Sequence, residues 1–150
     1  MFADVVNSWK SQSPAIRFLR LFLGSMFIYA GMVKVLDSRF LDMNDAFSLK
    51  SQLLGFSQVS PIPSVLINMS NVALLVGILT IFTELAIGVG TLLGVAPLLA
   101  SLGGIGMSLM LWLTTSWNVR PIFLSSNLAY LGMWVALALA VFYSKNSKTK

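Results

Sequence analysis

A chain of 150 residues that is 57% hydrophobic and only 10% charged falls outside the composition of soluble domains, which carry about 25% charge, and its mean hydropathy of +0.84 marks an integral membrane protein. The net charge of +5 does not indicate nucleic acid, because the 10 Lys and Arg residues are scattered or terminal and form no basic stripe with interleaved aromatics. With neither Cys nor His, the chain has no disulfide, thiol nucleophile or thiolate metal site, and it lacks the commonest general base, so redox chemistry has to come from a bound cofactor or a partner chain.

Residues 1–15 are polar, with Trp9 suited to headgroup depth. Arg17 and Arg20 then lead into Leu21 to Leu36, giving a first span over about 17–36. A signal peptide starts in a similar way, but this apolar run continues past Ala30 with helical order. Arg17, Arg20, Gly24, Gly31 and Lys34 share one stripe of that helix. In the loop after this span, Arg39 and Lys50, with Lys34 at the end of the span, are offset by Asp37, Asp42 and Asp45. Phe40, Met43, Phe47 and Leu54 keep an approximate helical period, so an interfacial helix over 39–54 competes there with an irregular loop. Pro61 and Pro63 interrupt it, and Ser64 or Asn68 can cap the next helix.

From Val72 to Thr115 the only ionisable side chain is Glu84. As one helix this run would be roughly 65 Å long, about twice the hydrocarbon thickness of a bilayer, so it must fold back once. Gly94 to Pro97 is the predicted turn. It separates a second span at about 70–94 from a third at about 97–115. A break at Ser116 to Pro121 precedes the fourth span, about 122–143, and the tail carries Lys145, Lys148 and Lys150. The positive-inside rule places both termini in the cytoplasm. The expected fold is an all-α integral membrane protein, a single domain over 1–150 forming a four-transmembrane-helix bundle.

An intramembrane carboxylate costs about 2.5–3.5 kcal/mol to insert, so Glu84 requires explanation. Gly77, Thr80, Gly88 and Thr91 share its face, which turns it into the bundle along a small and polar groove. It either holds helices in register or carries a proton or orients a ligand. Lys34 and Arg120 are the candidate partners. Lys34 has the better position, although helices spanning the full bilayer would leave nearly 10 Å along the axis between it and Glu84, room for water or a headgroup. Snorkelling is the alternative for Lys34, and a lipid headgroup contact for Arg120. Asn127, Tyr130 and Trp134 lie on one face of the fourth span, placed either to stack on a flat redox ring or to pack in the core. Ala100, Gly104 and Ser108 recur every four residues, the spacing of close helix approach.

The pattern R-LFLGSMFIYAG-MV-K, containing Arg17, Gly24, Gly31 and Lys34, together with TELAIGVGTLLG around Glu84 and Gly88, resembles the DoxX-like family. Within it, residues 17–143 are similar to the DoxD small subunit of thiosulfate:quinone oxidoreductase. The resemblance implies a small membrane subunit of a redox or electron-transfer complex, not catalytic alone, with a quinone or lipid between its helices. Its partners would be membrane lipids and other subunits, not nucleic acid, in a bacterial inner membrane or equivalent energy-transducing membrane. Thiol exchange, used by relatives with membrane cysteines, is excluded. Two other functions remain open on the sequence: proton-coupled transport or lipid handling through Glu84, and a purely structural accessory subunit.

Overall fold

A computed structural model describes residues 9–10 and 12–147, with side chains as far as Ser144. Lys148, Lys150 and the side chain of Lys145 lie outside the described residues. Among the described residues the delimited α-helices are, in order, α1 (Pro14–Leu36), α2 (Leu49–Ser57), α3 (Pro63–Asn71), α4 (Ala73–Leu93), α5 (Pro97–Thr115) and α6 (Ser126–Ser147). Four of these, α1, α4, α5 and α6, are long and apolar enough to cross a membrane.

Local chemistry sets their ends. Ser13 caps α1 by accepting from the Ile16 amide, and Pro14 occupies its first turn, where a missing N–H costs nothing. The α4–α5 turn passes through left-handed backbone at Gly94 (φ 69°) and Ala96 (φ 46°) before Pro97 starts α5. Such a backbone reverses direction in few residues.

Three predicted boundaries move. The second span begins at Ala73 rather than near residue 70, because the backbone breaks at Val72 (φ −122°, ψ 32°) and leaves α3 as a separate helix. The fourth begins at Ser126 rather than 122, after a single 3₁₀ turn over Ile122–Leu124. Instead of a helix over 39–54, the chain makes successive turns up to Ser48 and only then forms α2. The aspartates are the cause: Asp37, Asp42 and Asp45 accept from the amides of Arg39, Asn44 and Phe47, each two residues on. These Asx turns compete with helix, and Ser48 ends the series by capping α2.

α1 packs along α4, and α5 along α6, with α4 against α5 and α1 against α6 closing the bundle. Glycines permit the tightest approaches. A Cβ on Gly88 would lie 2.8 Å from the Gly24 carbonyl oxygen and 2.9 Å from the Ile28 nitrogen, so backbone meets backbone there. A Cβ on Gly104 would run into the indole of Trp134. Leu23, Phe27, Ile87, Trp134 and Leu137 form the core, and a second cluster of Leu53, Leu66 and Ala73 lies under α2 and α3. Many large apolar side chains, among them Phe18, Leu36, Phe82, Leu99 and Phe123, face outward, as expected where the surroundings are lipid rather than water.

The start of α1 and the end of α6 meet at one end of the bundle, where Gln12, Ser13 and Ile16 share a crevice with Ala140, Val141 and Ser144. The α2–α3 hairpin and the α5–α6 connection lie at the other, joined by the Ser60 hydroxyl donating to the Leu113 carbonyl.

Candidate functional site

The site begins with the register of α1 on α4. Gly24 lies against Gly88 and Leu92, and Gly31 against Leu85 and the Glu84 Cβ, which places Lys34 opposite roughly residue 81. The remaining three residues are about 4.5 Å along the axis, within reach of a lysine stem. Lys34 Nζ donates to both Glu84 oxygens, at 2.7 and 2.8 Å, and lies 3.4 Å from the Ala30 carbonyl oxygen.

The expected gap of nearly 10 Å is therefore closed without water or ligand. The two spans are not level. By this register the end of α1 stops opposite roughly residue 79, some 9 Å short of the start of α4. The turns after α1 fill the difference, and Leu41 and Phe40 lie against Gly77. Beyond the membrane span, the Arg39 guanidinium holds the Asp37 carboxyl below the usual carboxylate range.

Glu84 is only 2% exposed and faces a cavity of about 150 Å³ lined by Met26, Phe27, Ala30, Ser108, Leu111, Asn127 and Tyr130 as well as itself. All four spans contribute. Asn127 Nδ2 donates to Thr115 Oγ1 (3.0 Å) and Ser116 Oγ (2.7 Å), which fixes the amide and leaves its Oδ1 as an acceptor. Tyr130 stacks on Phe22 with ring centres 6.0 Å apart. The structure thus brings Glu84, Asn127 and Tyr130 to one space.

Trp134 does not join them. It is fully buried, edge-on to Phe27 at 5.0 Å and seated on Gly104, and its indole N–H has no hydrogen-bond partner, so it is core packing. Arg120 is also elsewhere: exposed, it donates to the carbonyls of Trp117 and Val119. Arg17 is exposed and binds the carbonyls of Gln12 and Lys10.

Two residues carry more than the sequence indicated. Arg20 is 1% exposed; its guanidinium donates to the Thr91 and Leu92 carbonyls at the end of α4, to Gln12 Oε1, and lies 4.5 Å from the centre of the Trp9 ring. It thereby satisfies carbonyls that a helix end leaves unpaired. Ser108 is 2% exposed and lines the Glu84 cavity. Its signal was the four-residue spacing with Gly104, which indicates the face but not the cavity. Among the described residues no three acidic side chains cluster as a metal site would require.

Residues 16–147 match the family model described as TQO small subunit DoxD. Comparisons with curated proteins and with solved structures gave no match. Members of such DoxX-like families are typically non-catalytic accessory subunits, and membership points to a redox or electron-transfer role. With the match covering all four spans and the Lys34–Glu84 pair between them, this integral membrane chain belongs to the DoxD small-subunit family.

Proposed function

We propose that this protein is a small, non-catalytic subunit of a membrane redox complex and holds a quinone ring in the cavity beside Glu84. The observation that carries this reading is a cavity of about 150 Å³ to which all four spans contribute and in which Glu84, Ser108, Asn127 and Tyr130 meet. A cavity of roughly that size accepts one benzene ring. Ser108 and Tyr130 supply donors for ring oxygens, Asn127 Oδ1 supplies an acceptor, and Phe27 supplies apolar wall. When bound, a quinone would supply two-electron, two-proton chemistry; the chain's residues hold and orient it and exclude lipid. The family's description as a TQO small subunit agrees with such a partnership.

The remaining subunits of the complex would lie alongside, in a bacterial inner membrane or equivalent energy-transducing membrane. Both termini would be cytoplasmic, since Lys10, Arg17 and Arg20 gather at one end while Arg39 and Lys50 at the other are offset by three aspartates.

The test is quinone retention by the complex purified in mild detergent. Wild type should retain extractable quinone, and Ser108→Leu and Ala30→Leu, which fill the cavity from two helices, should each lower retention at least tenfold with unchanged helicity. Equal retention in all three, or no quinone bound by wild type even on addition, would overturn the reading.

A further inference from the structure

A second cavity, of about 160 Å³, lies on the other side of the ion pair. Its polar lining is Lys34, Gln52, Thr80, Thr114 and Thr115, and it sits beneath the α2–α3 hairpin. Leu111 belongs to the walls of both cavities. Two polar contacts cross this partition. Lys34, in the second cavity, holds Glu84, in the first, and Asn127, in the first, donates to Thr115, in the second. The pair is asymmetric, because the Lys34 side chain is 24% exposed and that of Glu84 only 2%. At about 30 Å³ per molecule in the liquid, the second cavity has room for about five waters, and its lining supplies the polar partners that such waters need.

We propose that the second cavity is the aqueous route to Glu84, and that the Lys34–Glu84 pair is the partition a proton crosses to reach the first cavity. When Lys34 swings aside, water from the second cavity reaches Glu84, and a hydronium ion gives its proton to a carboxylate oxygen, leaving water and a neutral carboxyl. Lys34 keeps its charge, loses its anionic partner and turns to the water. Deprotonation of Glu84 restores the pair, and no electron moves. Lys34, from α1, is the charged side chain facing Glu84. α5 contains no ionisable residue, α6 contributes the Tyr130 phenol, and Asp37, Arg39, Asp42, Asp45 and Lys50 of the α1–α2 connection and α2 line neither cavity. The proton's destination rests on the ring-binding reading; the route itself does not.

The cysteine-free sequence allows a direct test with single cysteines in membrane vesicles containing the assembled complex, using a charged, water-soluble methanethiosulfonate. Thr80→Cys and Thr114→Cys line the second cavity, Ser108→Cys the first, and Leu79→Cys is an outward-facing reference at the depth of Thr80. The first two should react at least tenfold faster than Leu79→Cys, and only from the side bearing α2 and α3. Ser108→Cys should react slowly, and at least tenfold faster when Glu84→Gln or Lys34→Met breaks the pair. The proposal fails if Thr80→Cys and Thr114→Cys react no faster than Leu79→Cys, or if Ser108→Cys is indifferent to both pair-breaking changes. Quinone retention is a separate readout: its failure leaves these rates untouched, and slow labelling leaves retention untouched.

Discussion

Lys34 and Glu84 depend on each other within a low-dielectric bundle. Removing one partner of a buried ion pair costs about 3–5 kcal/mol, chiefly because the other charge is left alone, whereas replacing both by apolar residues of similar volume is often neutral. Because Lys34 is partly exposed, Lys34→Met and Glu84→Met should each fall at the lower end, about 3 kcal/mol. The double variant should return to within about 1 kcal/mol of wild type. Unfolding in mixed micelles measures this. The same double variant separates a spacer from a working site: if Glu84 only holds helices together, the complex containing it keeps full activity, and if Glu84 handles protons, activity is lost although the fold is restored. At this scale the pairing was legible, because the stripe through Gly24, Gly31 and Lys34 turns the lysine inward. The contact distance was not, since nothing in the spans themselves shows that α1 stops short of the start of α4.

Among the helices, the junction of α1 and α4 depends on Arg20 more than on any lipid-facing residue. It joins the start of one span to the carbonyl end of another, and hydrogen bonds to charged groups are worth about 1.5–3 kcal/mol each. Arg20→Met should therefore lower stability by at least about 2 kcal/mol. Arg17→Met, at an exposed position, should change it by less than about 0.5 kcal/mol. Thermal unfolding of the two variants in one detergent would test the ranking; equal losses would contradict it. Both arginines lie on one helical stripe in the sequence, and it is the finishing point of α4 that selects between them. The helices outside the spans were less legible for a related reason. The apolar period through Phe40, Met43 and Phe47 was real, but each neighbouring aspartate could bind the backbone two residues on, and that local choice prevailed up to Ser48.

Taken whole, the molecule is two tightly joined helix pairs, α1 with α4 and α5 with α6, with the two cavities at their junction. The four spans and the turn at Gly94 to Pro97 followed from hydropathy and proline placement. A cavity could not be read in the same way, because it is a difference between helix separation and side-chain volume. Asn127, Tyr130 and Trp134 show the limit: helical spacing put them on one face, yet Trp134 is absorbed by the space over Gly104, and only the other two reach the cavity.

The displacement of α1 along α4 has an electrical consequence. Where a span ends early and water can stand beneath a surface hairpin, the insulating layer is thinner, and the membrane potential falls across what remains. Glu84 lies inside that remainder, so a proton reaching it from the α2–α3 side crosses part of the field, downhill when the side bearing the termini is negative. For one elementary charge the full potential is worth about 2.3 kcal/mol per 100 mV, and a site half-way through the field would feel about half of this. Voltage as well as acidity would then set how often the pair is broken. In vesicles held at a potassium-diffusion potential, labelling of Ser108→Cys should change about sevenfold per 100 mV, the equivalent of that half share, and should reverse direction with the sign of the potential; a rate independent of potential would place Glu84 outside the field.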